Sequence, residues 1–240
     1  MTKTSHAYGT VEVPSAADDG LGPIPFENTL LRQKIVATLR RAIEIGSLKA
    51  GERLVEKDLC LRLGVSRTSL REALRDLEAN GVVTKVTARE LVITPLSPED
   101  ADNLYSVRGA IEKLVAQQFI ERANQHDVDA LKGALARIRQ VEDSGETALE
   151  ARRDYYRLWC AGADNNYAFE YLMNIQLRLS VISSTKLKKP ALIAQDIAEK
   201  QIILDHIEKR DLPAALEAIC VHVSNAKAAA RAQQAAGPAA

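Results

Sequence analysis

A helical pattern that stops at Gly64 and restarts at Ser66 restricts the fold of this chain more than any other part of its sequence. Ser66 carries a hydroxyl of the kind that caps helix N-termini. Apolar residues then recur at helical spacing, at Leu70, Ala73, Leu74 and Leu77. The Asn80-Gly81 pair has the residues that commonly end a helix. Two helices joined by such a tight turn are typical of a helix-turn-helix.

The flanking residues predict the winged form of this motif. Leu31, Ile35, Leu39 and Ile43 recur every four residues and predict a preceding helix that ends at Gly46. The shorter helix of the motif is expected over about 56–63. Two β-like runs follow, over 82–86 and 91–94, joined by 87–90. Three helices and a hairpin predict a winged helix-turn-helix domain over residues 25–95.

The remainder of the chain is predicted to be entirely helical. Pro95 and Pro98 mark the domain boundary. Apolar positions then step by three and four, with breaks near residues 126, 144–145, 164–166, 188–190 and 211–213. This spacing predicts an all-α bundle of about six helices over residues 96–232, so the protein is mostly α. Residues 1–24 and 233–240 lack an apolar period and are expected to be disordered tails.

Composition and charge limit the class of protein. The three cysteines, Cys60, Cys160 and Cys220, are odd in number and far apart, which argues against a disulfide framework or a Cys-rich zinc site. We find neither a membrane-length apolar run nor a signal peptide, so a cytoplasmic protein without membrane contact is expected. The net charge is zero, yet residues 25–95 carry 13 Lys and Arg against 9 acidic residues. A basic N-terminal domain fits phosphate binding.

The second helix of a helix-turn-helix directs its N-terminal residues at base edges in the major groove of double-stranded DNA. The candidates for contact here are Arg67, Thr68, Ser69 and Arg71, with Arg75 one turn further on and Arg89 at the hairpin tip. Arginine pairs bidentately with guanine, and Ser and Thr hydroxyls bind phosphate or base. The alternative is that these arginines only form a solvated helix face.

Three segments resemble the DNA-binding domain of the GntR superfamily of transcription regulators: residues 46–54 (GSLKAGERL), 63–77 (LGVSRTSLREALRDL) and 81–83 (GVV). The resemblance implies DNA contacts at Lys57, Ser66, Arg67, Ser69, Arg71 and the wing residues 87–89. In the family the basic residue of the wing tip usually has a Gly beside it, whereas Arg89 is followed by Glu90. This carboxylate would repel phosphate and weaken the wing contact.

Residues 107–108 with Glu112, 162–167 and 211–222 resemble the FCD effector domain of the FadR branch of that superfamily. The resemblance implies a bundle around a ligand pocket, which in many members holds a metal on an Asp, a His four residues later and two further His residues. These four positions fall on Arg152, Tyr156, Lys200 and His222. Two cations would oppose a divalent ion, so we expect no metal and no cofactor. A shifted register would bring in Asp154, but no His follows it four residues later.

The same substitution suggests an effector. Arg152 and Lys200 would hold a small anionic ligand such as a carboxylate, while Tyr156 and His222 add hydrogen bonds. Arg108 is a further candidate for the pocket. The alternative is that these charges are partly exposed or are paired with Asp154 or Asp196.

The resemblance implies a homodimer on a two-fold operator, most often a repressor that its ligand releases. A dimer whose bundle senses nothing is the alternative. We find no nucleophile–base pair, no Gly-rich phosphate loop and no zinc-protease motif, so an enzyme is not expected.

Overall fold

The computed structural model describes residues 29–87, 90–141, 146–183 and 190–235. The N-terminal domain contains α1 (Thr29–Glu44), β1 (Arg53–Leu54), α2 (Glu56–Leu63), α3 (Arg67–Ala79), β2 (Val83–Thr87) and β3 (Glu90–Ile93). This order confirms the predicted winged helix-turn-helix. The two-residue strand β1 was not predicted. The expected tail 1–24 and the wing-tip residue Arg89 lie outside the described residues.

The strands form a small antiparallel sheet in the order β1-β3-β2. Arg53 pairs with Val92 across β1 and β3, and Val83 pairs with Ile93 across β2 and β3. A register irregularity falls between Lys85 and Thr87 near the hairpin tip. The sheet closes one side of a core whose deeply buried members include Ile43, Leu70, Leu74, Leu77, Val82, Val83 and Ile93.

Local signals fix the turn between α2 and α3. Gly64 ends α2 in the left-handed region, at φ 64°, where a residue without Cβ is not strained. Ser66 then caps α3, because its Oγ accepts a hydrogen bond from the backbone N–H of Ser69 at 3.1 Å. The conformation of Gly64 and the cap at Ser66 set where the exposed N-terminal turn of α3 begins.

The C-terminal domain contains α4 (Pro98–Arg122), α5 (Gln125–Gln140), α6 (Glu146–Gly162), α7 (Asn166–Ser183), α8 (Pro190–Glu208) and α9 (Leu212–Ala235). The predicted all-α bundle is thereby confirmed. Helix α9 continues to Ala235, into the stretch we expected to be disordered from residue 233. Alanine favours helix there, and Gln234 ties the last turn to the carbonyl of Leu96 at 3.0 Å.

The bundle core is tightly packed around large aromatic side chains. Trp159, Tyr155 and Phe119 are all at most 2% exposed. Helices α4 and α6 meet closely at Gly162, where an added Cβ would lie 2.4 Å from Cε2 of Phe119. Only a glycine therefore fits at this contact without displacing the ring. None of the described helices is long and apolar enough to cross a membrane.

Helix α7 packs against both domains. Its residue Leu177 is 1% exposed and belongs to the hydrophobic cluster of the N-terminal domain, with Val181 packed against the same cluster. Asn174 donates a hydrogen bond from Nδ2 to Oδ1 of Asn80, at the end of α3, at 2.8 Å. The helix thus joins the helical bundle directly to the helix-turn-helix.

Candidate functional site

The outer face of α3 carries a row of exposed polar side chains. Arg67, Thr68, Arg71 and Arg75 are all exposed, as is Lys57 on α2. On the opposite face Leu70, Ala73 and Leu74 are at most 1% exposed. Burial of the apolar face fixes the rotation of the helix about its axis, so the arginines must point away from the protein.

Ser69 does not belong to this exposed row. Its side chain is 3% exposed, and its Oγ lies 3.0 Å from Oγ of Ser66. The family resemblance placed a DNA contact at Ser69, whereas the structure gives it a part in the capping turn. We therefore assign Ser69 to holding the start of α3 and leave it out of the proposed contacts.

Arg71 is held by a carboxylate of the neighbouring helix. Its Nε donates to both oxygens of Glu56, at 2.9 and 3.0 Å. This hydrogen bond and the charge of Glu56 raise the pKa of Arg71 above its ordinary value. The contacts with Glu56 involve Nε alone and so do not occupy either Nη group. Glu56 thus orients Arg71 and leaves the edge formed by its two Nη groups available for a bidentate contact.

A groove of about 560 Å³ separates α3 from the hairpin. Arg53, Arg75 and Lys85 line it together with Arg71, and three carboxylates lie among them. Lys85 is 2.9 Å from Glu78, and Arg53 is 3.5 Å from Glu90. The Glu90 carboxylate, which we expected to repel phosphate, is therefore partly offset by Arg53. Arg89 and its own contacts lie outside the described residues.

The second candidate site is a buried polar cluster in the centre of the bundle. Arg108 donates from Nε to Oε1 of Glu112 at 2.8 Å and from Nη2 to the Tyr156 hydroxyl at 3.1 Å. The same Nη2 lies 2.9 Å from Nε2 of His222. Tyr156 in turn donates to Glu112 at 3.2 Å. Four side chains from α4, α6 and α9 thus form one network.

The partners of His222 fix its protonation. Burial, with Lys200 and Arg108 nearby, lowers the pKa of His222 below its ordinary value of 6.5, although the contact with Glu199 opposes this. The ring is therefore neutral at pH 7. Its Nδ1 lies 2.7 Å from Oε2 of Glu199, which can only accept, so Nδ1 carries the proton. Nε2 is then the acceptor for Arg108.

Lys200 completes the cluster but is already paired. Its Nζ lies 2.7 Å from Asp196 and 5.9 Å from the ring centre of Tyr156. Burial would raise the pKa of Glu112, yet Arg108 and Lys200 outweigh this effect and lower it, so Glu112 stays ionised beside Arg108. Lys200 therefore matches the alternative in which it pairs with Asp196. Both buried cations thus already have a carboxylate partner.

A divalent metal does not fit this arrangement. Tyr156 and His222, two of the four positions implied by the family resemblance, bind the guanidinium of Arg108. The Nε2 lone pair of His222 is thereby used, and Lys200 brings a second positive charge. Within the described residues, no group of three or more His, Cys, Asp or Glu side chains is placed to hold a metal ion. A cation of the protein itself lies where these ligands converge.

Arg152, which we grouped with Lys200, lies elsewhere. It lines a cleft between α1, α6 and α7, at the junction of the two domains. Asp154, its alternative partner, instead pairs with Arg137 at 3.1 Å and Arg157 at 3.2 Å. The structure thus brings together Arg108, Tyr156, Lys200 and His222 and separates Arg152 from them. Sequence reasoning did not include Glu112, Asp196 and Glu199 in the site, although the i,i+4 spacing of Arg108 and Glu112 was a usable signal.

Two family models match the chain. The model for bacterial regulatory proteins of the gntR family matches residues 31–89, and the FCD domain model matches residues 103–225. The chain belongs to the GntR family and carries an FCD domain. Both matches confirm the resemblances seen in the sequence, and they fall on the two domains of the structure.

Named relatives and a solved structure agree with this assignment. The uncharacterized HTH-type transcriptional regulator YdhC of Bacillus subtilis (strain 168) is 31% identical over 115 residues, covering 48% of this chain and 51% of that protein. The HTH-type transcriptional regulator McbR of Escherichia coli (strain K12) is 27% identical over 121 residues, covering 50% and 55%. The chain thus spans about half the length of these curated relatives. Both relatives are named as transcriptional regulators.

The structure of E. coli McbR/YncC superimposes with a TM-score of 0.74 at 19% identity, covering 85% of this chain and 98% of that chain. At this identity the likeness shows the fold. Helical bundle and winged helix-turn-helix therefore occur together in a solved protein as they do in this GntR-family chain.

Proposed function

We propose that this GntR-family protein is a transcription regulator that binds double-stranded DNA through α3 and responds to a small anionic effector, most simply a carboxylate. The observation that carries the proposal is the exposed row formed by Arg67, Thr68 and Arg71 on a helix whose other face is buried. Such a helix presents donors to base edges and has the geometry of a recognition helix.

The surrounding cations fit the backbone of the same duplex. Lys57 and Arg75 lie exposed on either side of the row, and Ser66 lies at the N-terminus of α3, where a helix attracts phosphate. Arg89 would follow the hairpin toward an adjacent phosphate or minor groove. Arg71, oriented by Glu56, is the side chain that we assign to a guanine.

A signal from the bundle has a direct route to α3. Leu177 packs in the core beneath the helix-turn-helix, and Asn174 bonds Asn80 at the end of α3. An effector that favours one arrangement of α7 therefore changes the orientation of the recognition helix. We propose repression that the effector relieves. Because Arg108 and Lys200 are paired with carboxylates, we do not place the effector in the buried cluster. The alternative is a DNA-binding dimer whose bundle senses nothing.

We further propose a cytoplasmic homodimer on a two-fold operator. One recognition helix reads one half-site, and two-fold symmetry places the second half-site about one helical turn, roughly 34 Å, away. Dimerisation doubles the phosphate contacts and so steepens the dependence of affinity on salt.

Selection of bound fragments from a random duplex library tests the proposal. We expect enrichment of an inverted repeat, lost with Arg67→Ala and kept with Arg139→Ala, an exposed arginine on α5 that matches the charge change. Enrichment of no sequence by the wild type at low salt would contradict the proposed DNA recognition. Enrichment of a single half-site would contradict the two-fold operator.

A further inference from the structure

The cleft that contains Arg152 has the features of a second ligand site. It lies between α1 of the winged domain and α6 and α7 of the bundle, with a volume of about 300 Å³. Among the described residues, its charged lining has four arginines and two glutamates: Arg40, Arg41, Arg152, Arg153, Glu44 and Glu150. Arginines thus outnumber glutamates in this lining.

Three donors in this cleft are buried and have no hydrogen-bond partner among the described residues. They are Nε of Arg40, Nε of Arg152 and Nε2 of Gln176. They come from α1, α6 and α7 respectively, and all three groups line the same cleft. Because each is a donor, they cannot satisfy one another. Buried polar groups in native proteins nearly always have a partner, so an external acceptor is expected.

The charges of the lining also favour an anion. Burial, and then the nearby Arg153, lowers the pKa of the Arg40 guanidinium. Burial raises the pKa of Glu44, although Arg153 and Arg40 oppose this. Like charges are thus held close together where solvent screening is reduced. An acceptor carrying two negative charges would relieve this repulsion and supply the missing hydrogen bonds.

We propose that the interdomain cleft binds a compact dianion, a dicarboxylate or a phosphate, which accepts hydrogen bonds from Arg40, Arg152 and Gln176. The proposal rests on the proposed function, because it assigns a site to the anionic effector. It separates that site from the buried cluster, whose cations Arg108 and Lys200 are already paired with carboxylates. A volume of about 300 Å³ suits a small metabolite and is at the low end of ligand pockets.

The position of the cleft explains how such an anion would act on DNA binding. One wall is α1, which packs against α3, and the other walls belong to the bundle. A dianion bridging Arg40 and Arg152 stabilises one relative placement of the two domains. If DNA binds a different placement, each ligand lowers the affinity of the protein for the other. Linkage requires the two affinities to fall by the same factor.

Calorimetric titration of the full chain at low ionic strength tests the assignment, with succinate, citrate and inorganic phosphate as probes. We expect saturable binding of at least one probe, weakened tenfold or more by Arg152→Gln and by Arg40→Gln. The matched control Arg139→Gln removes the same charge from an exposed position on α5 and should leave the affinity unchanged. The carboxylate and phosphate arms identify which dianion the cleft takes.

Two results would overturn the inference: no binding of any probe, or equal affinity in wild type, Arg152→Gln and Arg40→Gln. Circular dichroism of each variant separates loss of the site from loss of the fold. It is also recorded for Arg153→Gln, which changes an exposed position of the lining. DNA binding is measured on the same samples without probe. If the protein binds the anion in the cleft but does not bind DNA, the proposed function is refuted and the cleft assignment stands. If it binds DNA but no anion in the cleft, only the cleft assignment is refuted.

Discussion

Nε2 of His222 lies 2.9 Å from Nη2 of Arg108, and both side chains are buried at the centre of the bundle. A neutral imidazole can accept this hydrogen bond, whereas a protonated one would place two cations in contact. The acceptance by Nε2 therefore depends on the low pKa of His222, which makes the stability of the bundle sensitive to acid.

Stability should decrease as the pH falls below about 6.5. Burial, Lys200 and Arg108 lower the pKa of His222 in the folded state. As the pH falls, the unfolded chain therefore binds a proton first, and this stabilises the unfolded state relative to the folded state. The contribution is fully present above the unfolded pKa and is lost as the pH falls through the folded pKa. Glu112 and Glu199, whose pKa values are also lowered, add a loss only below about pH 4.5.

Thermal unfolding between about pH 7.5 and pH 5.5 measures this dependence. His222→Gln keeps an acceptor for Arg108 but cannot titrate, so its unfolding temperature should vary less with pH. His126→Gln removes an exposed histidine of α5 and should leave the wild-type slope unchanged. Equal slopes in wild type and His222→Gln would show that another group controls the transition.

Loss of the Glu112 charge should destabilise the bundle strongly. Glu112→Gln leaves the guanidinium of Arg108 buried without a counter-charge, at a cost of about 3–5 kcal/mol in the free energy of unfolding. The double variant Arg108→Met, Glu112→Leu removes both charges and should recover most of the loss. Urea unfolding measures both.

The control for this prediction is a partly exposed carboxylate. Asp154→Asn breaks the contacts with Arg137 and Arg157, whose side chains are about half exposed, and should cost less than about 1 kcal/mol. A Glu112→Gln variant no less stable than Asp154→Asn would mean that Arg108 is solvated in the protein.

Two glycine-to-alanine substitutions should change the free energy of unfolding in opposite directions. Gly162→Ala places a Cβ against the ring of Phe119, which is 1% exposed and has little room to move, at a cost of about 1–3 kcal/mol. Gly133→Ala, within α5, meets nothing within 4 Å and should stabilise the helix by about 0.5–1 kcal/mol. Chemical denaturation of the two variants side by side gives both values. A stabilising Gly162→Ala would refute the close packing of α4 on α6.

Arg71→Ala should weaken specific DNA binding without altering the fold. Loss of one bidentate base contact costs about 1–3 kcal/mol, roughly a 5- to 160-fold change in affinity. Fluorescence anisotropy with the selected operator and with scrambled DNA separates specific from non-specific binding. Arg139→Ala provides the charge-matched control, and wild-type operator affinity in Arg71→Ala would place the recognition surface elsewhere.

Local signals predicted the helix-turn-helix well and the site around Arg152 poorly. Gly64 and Ser66 act within one turn, through a left-handed conformation and a cap, so the bounds of α2 and α3 were readable. The strand β1 exists only because Arg53 and Leu54 pair with β3, and two residues carry no pattern of their own. The position of Arg152 depends on how α6 packs beside α1, which no short segment encodes.

The charge pairs of the buried cluster could likewise be predicted only in part from the sequence. The resemblance grouped Tyr156, Lys200 and His222 with Arg152, and Arg108 was a further candidate. The burial of Glu112 follows from the packing of the helices. Asp196 could be named as a partner for Lys200 because the two are four residues apart on one helix. The choice between pairing and ligand binding needed the three-dimensional structure.

The burial of Leu177 in the winged domain limits how this protein can be re-engineered. A fragment ending near residue 95 would keep all of α3 but leave a cavity in its core where Leu177 packs. Fusing the winged domain to another protein would fail for the same reason unless α7, or another side chain that fills the place of Leu177, came with it. The smallest unit of this chain that can be exchanged between proteins is therefore the winged domain together with α7.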